Sequence, residues 1–293
     1  MNFEALVDQT LAEVSGYVKN QESVTVLTQE LTIDGLTLQV DDVSSLAKGT
    51  VEIGDELVYA KSITKTSGIA TVMPGGRGWS GTTAAVHPIH TLVRNSPTFP
   101  RAQVKRAIND TIVGINLFGI SSYSFNFDGT TRAYPLPVGT NDVTGVSWDT
   151  LNSTGVWALI RRYRVDRNFP VSGESAPRVG LVMNESPPAG RDVRVQYTHL
   201  PTELSVGDEF SVSGLPASAT DVIRLGAMWR LVTTVDASKI VSTAPSGDLV
   251  DSKVTAGQPT ALARYIYQLF SVRLAEEKAK QIDVLQNIVQ FER

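Results

Sequence analysis

At 293 residues the chain exceeds what one typical core needs, so two or three packing units are expected, and its 42% apolar and 19% charged residues argue against wholesale disorder. A formal charge of -4 and a pI near 5.5 argue against a sequence-reading nucleic-acid binder, which is normally basic, while leaving a surface past which DNA can move without adhering. The absence of cysteine excludes disulfides and thiolate metal sites; the acidic opening Met1 to Asp8 and the lack of any run of about 18 apolar residues point to synthesis in a cytoplasm with no membrane span.

In chain order, Phe3, Leu6, Val7, Leu11, Val14, Tyr17 and Val18 recur at steps of three and four and predict a first helix. Short strands follow at Val24 to Leu27, Leu31 to Ile33, Leu36 to Val40, Thr50 to Ile53 and Glu56 to Ile63, with Asp34-Gly35 as a hairpin signal and Gly54-Asp55 as a turn. Ile69 to Met73 leads into Gly75-Gly-Arg-Gly-Trp-Ser-Gly81, whose four glycines impose a backbone path that side chains would obstruct, and Ile89 to Val93 closes the region. Pro100 opens a second helix through Val104, Ala107, Ile108, Ile112, Ile115 and Phe118, ended by Gly119. A two-residue period then returns at Tyr123 to Phe127, Val156 to Val165, Arg178 to Met183 and Arg191 to Tyr197, the pattern of a sandwich or jelly roll. A third helix is predicted from about Ala219 to Asp236 and a fourth from Pro259, through Leu262, Tyr265, Leu269, Val272, Ala275, Ala279, Ile282, Leu285 and Val289. Ser238 to Gln258, between them, is long for a helix connection.

The simplest burial of four amphipathic stripes is against one another, so the expected fold is α+β: a helical-bundle core interrupted by two inserted antiparallel β units, the second sandwich-like. The core would comprise 1–20, 97–119 and 217–293; the small β insertion 21–96; and the larger one 120–216.

No catalytic constellation is legible, and a non-enzyme without cofactor or metal is expected. His87 and His90 are three apart but flank a proline and lack an evident third ligand. Ser80 sits in Gly-Trp-Ser-Gly-Thr, which misses the Gly-x-Ser-x-Gly spacing and the strand-to-helix setting of a nucleophile elbow. The glycine run has no Gly-Lys-Ser/Thr ending and no following helix to hold a phosphate. The acid pairs Asp41-Asp42, Asp55-Glu56 and Glu276-Glu277 fit turns and a solvated helix face better than a glycosidase, which sets two acids across one sugar bond.

Two features suit contact with other molecules. Arg161, Arg162 and Arg164 lie on one predicted strand, where they fit either phosphate contact or ion pairs between subunits. At the C-terminus, Ile282, Leu285, Ile288, Val289, Phe291 and Arg293 surround the last helix with more apolar surface than one core needs, which marks a docking segment or an end packed on its own β unit.

The segments Gly54-Asp-Glu-Leu-Val-Tyr59, Arg77-Gly-Trp-Ser-Gly-Thr-Thr-Ala-Ala-Val-His87, Phe99-Pro-Arg101 with Ala107 to Ile112, and Ala263 to Lys280 resemble the head-to-tail adaptor, connector or neck, proteins of tailed bacteriophages. The resemblance covers about a third of the chain. It implies a structural virion protein, made in the bacterial host cytoplasm, that forms a homo-oligomeric ring, commonly a dodecamer, joining the capsid portal to the tail. The implied partners are further copies of itself, the portal protein, tail tube, nozzle or fibre proteins, and double-stranded DNA passing without sequence recognition. The alternative is a tail or fibre-associated β-sandwich module that binds a receptor glycan or a fibre protein.

Overall fold

A computed structural model describes residues 1–18, 22–150, 155–174, 176–234 and 258–289, with side chains of the last helix described over 261–282. Among these residues the chain is mainly sheet: thirteen strands in three antiparallel sheets, with four α-helices, α1 (Phe3–Ser15), α2 (Arg101–Gly114), α3 (Thr220–Thr234) and α4 (Gln258–Val289). This overturns the expected helical-bundle core carrying two β insertions. The strands bury their apolar side chains in two clusters of their own, whereas the stripe predicted on α4 does not go inward. Tyr265, Leu269, Val272 and Ile282 are exposed, and Ile266 and Glu277 are buried in their place. A helix with its stripe outward cannot anchor a bundle. The connection expected before α4, and Phe291 and Arg293 beyond it, lie outside the described residues.

The chain divides into two compact units, and the division falls within each of the four helices. The first unit, Glu4–Asp110 with Arg224–Phe270, holds a six-stranded sheet of β1 (Val24–Val26), β2 (Thr37–Gln39), β3 (Gly49–Ile53), β4 (Glu56–Thr64), β5 (Ile69–Val72) and β6 (Leu92–Asn95) in the order β1-β6-β3-β4-β5-β2. Its end strands curl round to meet: Leu27 bridges Val40, Thr28 N–H donates to the Gln39 carbonyl at 2.9 Å, and Asp41 N–H to that of Val26 at 3.0 Å. Inside the curl, Leu27, Leu38, Val51, Ile53, Val58 and Val93 form the centre of a buried cluster. Gly54 (φ +57°) and Asp55 make the two-residue turn between β3 and β4, where a positive φ matches the twist of a tight hairpin. Asp34-Gly35, by contrast, turns the chain without joining paired strands: Leu31 pairs with His87, and β2 pairs with β5.

The second unit, Met1–Phe3, Thr111–Ile223 and Ser271–Arg293, contains two sheets. One has the order β10 (Trp157–Leu159), β9 (Thr140–Asp149), β13 (Asp192–His199), β7 (Gly119–Asn126); the other β11 (Tyr163–Phe169), β12 (Arg178–Met183), β8 (Ala133–Pro135). Both contribute to one core of Phe127, Leu136, Val146, Ile160, Leu181, Met183, Val193 and Val195, and Phe125 of β7 stacks on Tyr134 of β8 at 4.0 Å. The single strand expected over Val156 to Val165 is two. Ile160 turns into the core with its N–H bonded to the Val146 carbonyl, and the chain passes from the edge of one sheet to the edge of the other. That corner leaves Arg161, Arg162 and Arg164 on the outside.

Candidate functional site

The glycine-rich loop is built around one carboxylate. Glu56, at the start of β4 and with a side chain 1% exposed, accepts from Arg77 Nε (2.6 Å) and Nη2 (2.9 Å), Gly78 N–H (2.9 Å), Ala85 N–H (3.1 Å) and His87 Nε2 (2.8 Å). Arg77 uses its remaining N–H groups on the carbonyls of Thr32 (2.6 Å), Gly35 (3.0 Å) and Ala85 (2.6 Å), so all five donors of the guanidinium are engaged. Thr82 Oγ1 accepts from Leu57 N–H at 3.0 Å and donates to the Trp79 carbonyl at 2.9 Å, while the Tyr59 and Trp79 rings lie 5.0 Å apart. Glycine is required where the path is tightest: a Cβ on Gly76 would stand 2.8 Å from the Met73 carbonyl oxygen, and one on Gly78 (φ +60°) 2.8 Å from that of Thr82. Burial alone would raise the Glu56 pKa, but the bonds from His87, Arg77, Gly78 and Ala85 outweigh it and hold the carboxyl down to about 2.

Such a carboxylate is neither a poised acid nor a free base, and the Gly78 amide that a phosphate would need is aimed at Glu56. Ser80 is exposed in a left-handed conformation (φ 56°), and His87, committed to Glu56, is not paired with His90. Among the described residues no group of three or more His, Cys, Asp or Glu side chains is placed to hold a metal ion.

A second polar cluster borders a groove of about 500 Å³ in the same unit. Glu52, buried on β3, accepts from Arg94 Nη1 (2.6 Å) and from Arg101 N–H (2.5 Å), so it also satisfies a free donor at the start of α2. Arg94 continues to Glu22; Arg101 reaches Asp8, Glu4 (2.8 Å) and Asp55 (3.2 Å); and Lys105 reaches Glu4 (2.7 Å) and Asp55 (2.8 Å). Burial raises the Glu52 pKa against the opposing pull of Arg101 and Arg94, whereas at Asp55 the cost of burial is outweighed by Lys105 and Arg101, which lower it. Above this ionic floor the walls are apolar: Leu11 and Ala12 from α1, and Leu92 from β6. Sequence reasoning missed this groove. Its trace was the acidic pair Glu4 and Asp8 on α1 against the basic pair Arg101 and Lys105 on α2, each spaced i, i+4 and so each on one helix face.

In the two-sheet unit a smaller hollow of about 420 Å³ is lined by Phe118, Ile120, Leu215, Pro216, Glu277 and Gln281, among others. Glu277 is buried there, accepting from Ser218 Oγ (2.7 Å) and Lys280 Nζ (2.5 Å). The Gln281 amide donates to the Phe118 carbonyl (2.8 Å) and accepts from its N–H (3.3 Å), as a neighbouring strand would. Along α4, Arg273 pairs with Glu276 and Lys280 with Glu277, each three residues apart.

Arg161, Arg162 and Arg164 are exposed, and none has a side-chain partner among the described residues. Nearby Arg194 does: its guanidinium lies 3.9 Å from the centre of the Trp157 ring. Of the C-terminal candidates, Ile282 is 52% exposed; Leu285, Ile288 and Val289 lie on α4 with side chains outside the described set. No helix among the described residues is long and apolar enough to cross a membrane. In comparisons with known proteins, no family model and no curated sequence matches this chain.

Proposed function

We propose that this chain is a structural virion protein that assembles as a ring between the capsid portal and the tail of a bacteriophage, with double-stranded DNA passing through it. Since the helical-core layout has been set aside, the reading rests on the segments Gly54 to Tyr59 and Arg77 to His87 and on how their polar groups are used. The observation that carries it is the saturation of Glu56 and Arg77: the most distinctive residues of the sequence are consumed in holding a shape, while the exposed Arg161, Arg162 and Arg164 of the other unit have no side-chain partner among the described residues. That is the division of labour of an assembly protein, in which rigid modules present surfaces and little chemistry is done.

Mass photometry and negative-stain imaging of the purified chain, alone and mixed with portal protein, test the reading. Rings in either sample support it. A persistent monomer that binds surface glycans would favour the alternative, for which the exposed Tyr123 of the two-sheet unit offers a sugar-stacking face.

A further inference from the structure

We infer that copies of this chain join head to tail, the corner Leu159 to Arg164 of one copy entering the groove between α1 and β6 of the next. The inference rests on the ring reading and names the two faces such a ring would use.

Both faces carry the same mixture with opposite charge. The corner presents Leu159, 44% exposed, beside Arg161, Arg162 and Arg164, all three exposed and without side-chain partners among the described residues. The groove presents Leu92, 52% exposed, and Ala12 above an ion cluster in which five carboxylates (Glu4, Asp8, Glu22, Glu52, Asp55) meet three cations (Arg94, Arg101, Lys105). Among the described residues the cluster therefore holds two negative charges more than its cations neutralise. Asp8 and Asp55, with side chains 61% and 48% exposed, are the carboxylates that an incoming guanidinium can reach. Arginine suits that task because its planar fork bonds carboxylates while its stem covers apolar walls. Since the two faces are different surfaces of one chain, the contact is heterologous, and repeating it generates either a closed ring or an open filament.

The test uses the full chain in two variants. One replaces the corner arginines, Arg161→Ser with Arg162→Ser and Arg164→Ser; the other blocks the groove, Ala12→Arg with Leu92→Lys. Both should melt within a few degrees of the wild type by circular dichroism; should Leu92→Lys unfold the protein, Ala12→Arg alone serves, since that residue is exposed on a helix. Wild type should assemble, and its apparent dissociation constant should rise about tenfold or more between low and 0.5 M salt as exposed charges are screened. Each variant alone should stay monomeric. Mixed, they should form a one-to-one dimer and nothing larger, because only one intact corner and one intact groove remain available to each other.

Rings from either variant, or no dimer on mixing, would overturn the inference and leave the ring reading standing. A wild type that does not assemble alone or with portal would remove the ring reading, and the inference with it.

Discussion

The barrel-like sheet and the outer corner of the two-sheet unit treat their arginines in opposite ways. In the first, Arg77 is 7% exposed and spends every N–H on protein acceptors, and Arg94 and Arg101 are held by carboxylates on several elements. In the second, Arg161, Arg162 and Arg164 hang from an outer corner with nothing described to receive them. The contrast teaches that charge type alone says little about role. A buried guanidinium that satisfies several carbonyls fixes the fold, because removing it strands its partners without water; an exposed one contributes little to stability and is free for another molecule.

The comparison can be broken most decisively at Arg77. Arg77→Met should leave the Glu56 carboxylate buried without its main counter-charge and destabilise the first unit by about 3–5 kcal/mol, read as a shift in the urea midpoint. Acid should act through the same pair. The folded-state pKa of Glu56, about 2, lies below its ordinary 4.5, so its contribution is complete above pH 4.5 and is lost as pH falls through 2. Glu52 acts in the opposite sense: its pKa is raised, so its contribution is complete below its ordinary value and fades as pH rises through the folded-state one. Glu52→Gln should therefore flatten the part of the stability profile that begins above pH 4.5 while leaving the fall between pH 4.5 and about 2. Gly76→Ala, whose new methyl would press on two backbone carbonyls, should cost about 1–3 kcal/mol in thermal denaturation. The smallest effect belongs to the other arginines: each of Arg161→Ala, Arg162→Ala and Arg164→Ala should change monomer stability by no more than about 0.5 kcal/mol. A large loss there would show that these side chains also belong to the fold.

Much of the local structure was legible, for reasons that residues make plain. Val51 and Ile53 alternate ahead of the Gly54-Asp55 turn and mark the strand and its hairpin. The register, however, sets Leu57 and Tyr59 opposite Glu52 and Thr50, on the other face, and it is Val58 and Ala60 that join Val51 and Ile53 in the core. The arrangement of the elements was not legible, because an apolar stripe states that a helix can bury a face without stating which face the fold uses. On α4 two apolar phases compete, and Ile266 goes in while Leu269 and Val272 stay out. β9 went unread since its ten residues alternate weakly, with polar Thr140, Asn141, Asp142 and Thr144 diluting Val143, Val146 and Trp148. For the glycine loop, sequence excluded a phosphate cradle but could not reveal Glu56 as its organiser, because the partners lie 21 to 31 positions away.

The meeting of β1 and β2 through Leu27 and Val40 has a further consequence. A sheet whose first and last strands bond to each other offers no open ladder on which a stray chain could polymerise. Crowded copies of this unit are thereby steered away from runaway fibre growth, and any contact they make must be read out by side chains, which salt and single substitutions can tune.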